Sequence, residues 1–257
     1  MTDYRTLLAE IAECNLVLYG EDDAVEPFTP ASEPEVVAVE ARLGCRLPPS
    51  YREFALVANG CPKLGLSFGG LWPIERIDWF ARISPEWIEN WQAGSSATDD
   101  EEGALPDVSE EEHLATPDDP VRFRAAYLPE LLQIGPDWDG AVYLLNPNVV
   151  SPSGEWEAWS FATWYPGAAR SSSFRELVES DHRELRREVH LQSLEVDEDL
   201  ILGTALPRLR AEIARGTDPR TAVSRYIDAA SNDEMFLAWT RRRHPFNALL
   251  KELGYQP

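Results

Sequence analysis

The side chains able to do chemistry in this sequence are few and scattered. Its histidines stand at 113, 182, 190 and 244. His182 and His190 are two helical turns apart, too far for the i, i+4 metal pair of an HExxH helix. His113 lies in an acidic run, where a solvated imidazole is expected, and an isolated histidine is more often a satisfied side chain than a catalyst. Asp137-Trp138-Asp139-Gly140 sets two carboxylates two residues apart before a glycine, like the start of a Ca²⁺ loop, but the remaining ligands and the closing glutamate are missing. Asp and Gly are also what a hairpin turn requires, and a turn here would hold Trp138 between two charges, a shape suited to a basic surface. Neither GxxxxGK[ST] nor GxGxxG occurs. The reading is therefore of a non-enzyme, with no catalytic residue, metal or cofactor.

Charge is the stronger signal. The chain carries 45 acidic and 23 basic residues, a formal −22. Residues 1–190 hold 35 of the acids and 14 of the bases, so almost the whole imbalance, −21, falls there. Such a surface repels nucleic acid and anionic membrane and attracts basic proteins. The run Arg241-Arg242-Arg243-His244 is too small to reverse this. Asp99 to Asp119 contains ten acids and no Lys or Arg. One reading is a mobile solvated loop, because the segment has little apolar surface to bury. The other is electrostatic bait that speeds encounter with a basic protein by about 10–10³-fold. The candidate partner-binding residues are accordingly Asp99, Asp100, Glu101, Glu102, Glu110, Glu111 and Glu112, with Asp137, Trp138 and Asp139.

The elements that must position these groups follow from local signals. Tyr4 to about Leu18 reads as a helix. Ser32 with Glu35 forms a capping-box pattern, Pro34 suits a first turn, and Gly44 suits a left-handed stop. Pro48 and Pro49 break that helix and open another, with Tyr51, Phe54, Ala55 and Ala58 on one face and Asn59-Gly60 as its stop. Short β-like runs follow, with "GPDWDG" as the turn of a hairpin between Leu132–Ile134 and Ala141–Leu145. Trp72, Trp79, Trp87 and Trp91 crowd into twenty residues; Trp87 and Trp91 share a helix face after Ser84-Pro85, and burial against the sheet is the expectation. Phe174 begins another helix. Beyond Val196 the pattern is helical, over 200–215, 219–230 and 234–253. The longest apolar runs are far short of the roughly 20 residues that span a bilayer. The charged start, "MTDYRTLLAEIAEC", and three cysteines without CxxC spacing point to a reduced, cytoplasmic protein.

The order of "EPEVVAVEARLGCRLPPSYREFALVANG", Trp72-Pro73-Ile74, "IGPDWDGAVYLLNP" and "SSSFRELV" resembles the SMI1/KNR4 (SUKH) superfamily between Pro34 and about Val178. The resemblance implies an α+β fold with a curved, mainly antiparallel sheet and helices packed against it; the sequence adds a C-terminal all-helical extension. The expected division is a 1–190 domain and a 195–257 extension. The resemblance also implies a non-catalytic role: bacterial members are commonly immunity proteins that bind a cognate toxin, often a nuclease, and fungal relatives are interaction modules in signalling. The expected partner is a cognate toxin or another basic protein. The alternative is a regulatory scaffold with several partners.

Overall fold

The computed structural model describes residues 3–20, 27–66, 68–95, 108–163 and 167–193, with 211 and 214–217. The chain divides into two compact units, Met1–Arg186 and Arg187–Pro257. Apart from 211 and 214–217, the helices expected beyond 200 lie outside the described residues, as does the arginine run at 241–243.

Helix α1 (Tyr4–Tyr19) starts on Asp3, whose carboxylate accepts the backbone N–H groups of Arg5 and Thr6 at 3.0 and 3.1 Å. Tyr4, Leu7, Leu8 and Ile11 are buried at helical spacing. In α2 (Glu33–Leu43), Glu35 Oε2 accepts from both the Ser32 N–H and the Ser32 hydroxyl at 2.7 Å, and Gly44 closes the helix at φ 77°. The two prolines then launch α3 (Pro49–Val57). It ends two residues before the Asn59-Gly60 stop, with Ala58 already extended. Asn59 instead turns its side-chain oxygen to the Ile74 N–H at 2.8 Å.

This helical corner serves packing. Phe174, the first residue of α7 (Phe174–Ser193), stands edge-on to Tyr51 at 4.8 Å and to Phe54 at 5.1 Å, and Tyr4 meets Phe54 at 5.5 Å. Four aromatics from three helices thus form one cluster, in the edge-on geometry that ring quadrupoles favour.

The sheet is an open antiparallel meander of five strands in chain order: β1 (Asp78–Trp79), β2 (Leu132–Gln133), β3 (Ala141–Val150), β4 (Trp156–Ala162) and β5 (Gly167–Ser171). Successive side chains take opposite faces. Val142 and Leu144 of β3, with Trp159 and Phe161 of β4, pack against Phe80, Trp87, Ile88, Phe123 and Leu128. These come from α4 (Phe80–Ile83), α5 (Pro85–Ser95), the 3₁₀ turn Ala125–Glu130 and the chain just before it. Tyr143, between Val142 and Leu144, faces the other way and bonds Asp181 of α7. Helices therefore cover both faces, and the class is α+β, as expected. Trp87 is buried in this layer, while Trp91, Trp72 and Trp79 are half-buried.

Candidate functional site

The hairpin turn is tighter than its six-residue sequence suggests. Trp138 N–H donates to Ala141 O at 2.9 Å and Ala141 N–H donates back at 3.0 Å, leaving a two-residue tip of Asp139 (φ 51°) and Gly140 (φ 73°). Two successive positive φ values define a type I′ turn, whose twist matches that of the flanking strands. The tip is braced twice more: Asp137 Oδ1 accepts the Gly140 N–H at 3.0 Å, and Gly140 O accepts the Thr163 N–H at 2.8 Å. Trp138 is left 57% exposed between exposed Asp137 and Asp139. Its base rests on the loop from Cys61 to Leu71: a Cβ at Gly69 would lie 2.9 Å from the Trp138 Cβ. The turn is thus a rigid pedestal for one indole flanked by two carboxylates. Among the described residues, no group of three His, Cys, Asp or Glu side chains could hold a metal ion.

The acidic run is divided. Asp99, Asp100, Glu101 and Glu102 lie outside the described residues. From Val108 the chain is ordered, which corrects the mobile-loop reading for this half. Ser109 caps α6 (Glu110–Ala115) by accepting the Glu112 N–H at 3.1 Å, and Val108 is buried. Glu112 pairs with Arg122, and Glu110 stands 4.0 Å from Arg124, so two of these carboxylates already face cations of their own chain. Glu110 and Glu111 are exposed. The turn and α6 are two separate features.

His113 is the largest departure from expectation. It is 0% exposed, not solvated. The Arg124 backbone N–H donates to His113 Nδ1 at 3.1 Å, which places the imidazole proton on Nε2, and Nε2 donates to Glu157 Oε2 at 3.1 Å. The same oxygen accepts from Asn146 Nδ2 at 2.9 Å and Trp159 Nε1 at 2.6 Å. Burial pushes the Glu157 carboxyl up, but the hydrogen bonds from His113, Trp159 and Asn146 outweigh it and hold the group below the ordinary carboxylate range. Arg170 Nη1 adds a contact at 3.5 Å to Glu157 Oε1 and donates to His113 O at 2.7 Å, and Nη2 donates to Thr116 O. The sequence held one signal for this placement: Ser109 followed by Glu112 is a capping pattern, and it sets His113 on a helix rather than in a loop.

A second buried group is Asp181, whose Oδ2 accepts the Tyr143 hydroxyl at 2.5 Å. Burial raises its carboxyl to about 7, against the lowering effect of that bond. On the next residue of α7, His182 Nε2 lies 3.0 Å from Glu10 Oε2, close enough for an ion pair but without hydrogen-bond alignment. Burial pushes this imidazole down, with Glu10 pulling the other way.

Gly65-Leu66-Ser67-Phe68-Gly69 spells GxSxG. A nucleophile elbow needs a strand before the serine and a helix after it. Here the pattern lies in a loop closed by an isolated bridge between Cys61 and Leu71, and Ser67 itself is outside the described residues. The context of the motif is not met.

An open five-stranded antiparallel meander with helices on both faces defines an α+β domain. The chain belongs to the SMI1 / KNR4 family (SUKH-1), whose family model matches residues 30–180, more than half of its length. That stretch contains α2 to β5, the helical corner and the Trp138 turn. The family is one of immunity-protein-like binding modules and is generally non-catalytic. No individual curated protein matches the chain. Among the described residues, no helix is long and apolar enough to cross a membrane.

Proposed function

We propose that this protein is an immunity protein that binds a cognate basic toxin domain and blocks it by occlusion, with Trp138 as the anchor and Asp137 and Asp139 as its charged flank. The observation that supports this most directly is the pedestal itself. A large aromatic is held 57% exposed on a braced turn of a protein with formal charge −22. Preorganised aromatics of this kind are the commonest interface hot spots. Carboxylates of the acidic run add long-range attraction, which speeds encounter more than it tightens the complex. The site works in the cytoplasm, in keeping with three free thiols at Cys14, Cys45 and Cys61.

The deciding experiment is affinity capture from native cells with the wild-type chain and with Trp138→Ala, at low and high salt. One stoichiometric basic partner retained by the wild type at both salts, and lost with Trp138→Ala, is the expected result. Several substoichiometric partners, insensitive to Trp138, would replace the immunity reading with that of a regulatory scaffold.

A further inference from the structure

The loop from Cys61 to Leu71 touches two features at once. Its Gly69 end lies under the Trp138 indole, and a Cβ at Gly135, which leads into the turn, would stand 2.4 Å from Gly70 O. Farther along, Gly65 covers the Tyr143–Asp181 pair. A Cβ there would lie 2.8 Å from the Tyr143 hydroxyl and 3.1 Å from Asp181 Oδ2. Phe68 meets the Tyr143 ring at 5.0 Å between centroids. The Leu64 N–H donates to Gly69 O at 3.3 Å, which ties the part over Asp181 to the part under Trp138.

The covered pair has no countercharge. Asp181 and Tyr143 are both buried, and among the described residues no cation pairs with the carboxyl. The titratable groups that face it are Tyr143 from β3, Cys61 from the loop and Glu184 on α7. His182, the next residue of α7, stands against Glu10 of α1 instead. Burial pushes the Cys61 thiol up to about 12 and the Tyr143 hydroxyl well above its ordinary value, so both stay neutral near pH 7. The same burial raises the Asp181 carboxyl to about 7, so this group does change charge there. A buried carboxylate without a cation is costly, and it must draw in water or displace a neighbour.

The neighbours differ in how firmly they are held. Tyr143 sits inside the sheet, its carbonyl accepting the Ile134 N–H at 3.1 Å on one side and its backbone paired with Ser160 on the other. Helix α7 is fixed by buried Phe174, Leu177, Val178 and Leu185. The loop belongs to neither sheet nor helix. Its described backbone hydrogen bonds are the Cys61–Leu71 bridge and the Leu64–Gly69 bond. Segments held by few bonds open before the elements beneath them. Water therefore reaches Asp181 by displacing this loop, and the same displacement withdraws the surface on which Trp138 stands.

We propose that Asp181 is a positioning residue for Trp138. Protonated, it holds the Cys61–Leu71 loop against the turn with Tyr143; ionised, it releases the loop and the indole loses its fixed seat. The consequence for binding rests on the reading of Trp138 as the anchor, whereas the coupling itself lies wholly within the domain.

The test follows the Trp138 indole N–H resonance of the full chain from pH 5 to 8.5, assigned by its disappearance in Trp138→Ala. In the wild type it should shift along one titration centred near pH 7. Asp181→Asn keeps an acceptor without the charge and should hold the resonance at its pH 5 position throughout. Tyr143→Phe removes the bond that favours the ionised carboxyl, so the midpoint should move to higher pH. Affinity for the captured partner should fall about tenfold between pH 6 and pH 8.5 in the wild type and stay constant in Asp181→Asn. A wild-type resonance that does not titrate overturns the proposal, as does a titration that persists in Asp181→Asn or a midpoint that Tyr143→Phe leaves in place. Constant wild-type affinity, where Trp138→Ala abolishes binding, overturns it as well. The resonances need no partner, so their failure is distinct from failure of the anchor reading, which the capture with Trp138→Ala decides.

Discussion

Tyr143 and Asp181 meet at 2.5 Å between the sheet and α7, and the carboxyl has no cation to balance it among the groups that set its ionisation. Glu184, on the same helix, adds a like charge, and Cys61 and Tyr143 are the titratable groups facing it from the loop and the sheet. The folded value of about 7 is raised above the ordinary 3.8. The folded state therefore holds this proton more tightly than the unfolded chain does. Asp181's contribution is fully present below about pH 4 and is lost as pH rises to about 7.

Asp181→Asn keeps an acceptor for the Tyr143 hydroxyl and removes the ionisation. Its stability relative to wild type should rise between pH 4 and pH 8, by about 4 kcal/mol at most. Urea unfolding of both proteins across that range measures it. A constant difference would show that Asp181 does not titrate between these states.

Glu157 has the opposite sign. Its carboxyl is held below the ordinary 4.5, so its contribution is present above that value and lost as pH falls. Glu157→Gln replaces one acceptor oxygen by an NH₂ among the His113, Asn146 and Trp159 donors and leaves Arg170 without its carboxylate. Breaking a buried pair from one side costs about 3–5 kcal/mol. The expected gap in unfolding free energy at pH 7 should narrow below about pH 4.5. A variant as stable as wild type at neutral pH would refute the account of this cluster.

What could be read from the sequence was what neighbours in the chain decide. The Ser32–Glu35 cap, the Gly44 stop, the two-proline corner and the turn within GPDWDG each depend on a few adjacent residues, and each is present. The aromatic stripe of α3 gave its buried face, although not the Phe174 that covers it. His113 was misread because its environment comes from distant chain: Glu157 lies 44 residues away, and Arg170 reaches its carbonyl from 57. Composition described the acidic run as one solvated loop, but a single buried valine and a buried histidine are enough to anchor its second half.

Within the acidic run, the three glutamates of α6 should behave differently on charge reversal. Glu111 is exposed, whereas Glu112 and Glu110 face Arg122 and Arg124. If α6 steers a basic partner, Glu111→Lys should slow association up to about tenfold at low salt and little at high salt. Glu112→Lys should also cost up to about 1 kcal/mol of stability through its partly exposed pair. Stopped-flow association with the captured partner separates the two; equal rates for wild type and Glu111→Lys would remove α6 from the encounter.

The support beneath Trp138 is as testable as the indole. Gly69 leaves no room for a side chain, since its Cβ would stand 2.9 Å from that of Trp138. Gly69→Ala should displace the indole without unfolding the domain, shifting the Trp138 indole N–H resonance while that of Trp159, in the buried layer, stays fixed. If preorganisation matters, this variant should bind the partner about tenfold more weakly, and Trp138→Ala should lose about 2 kcal/mol or more. Both should retain the wild-type unfolding free energy within about 1 kcal/mol. A Gly69→Ala protein with a displaced indole and undiminished binding would show that the turn supplies contact area without positioning it. A Trp138→Ala protein that binds as the wild type does would move the interface elsewhere on the acidic surface.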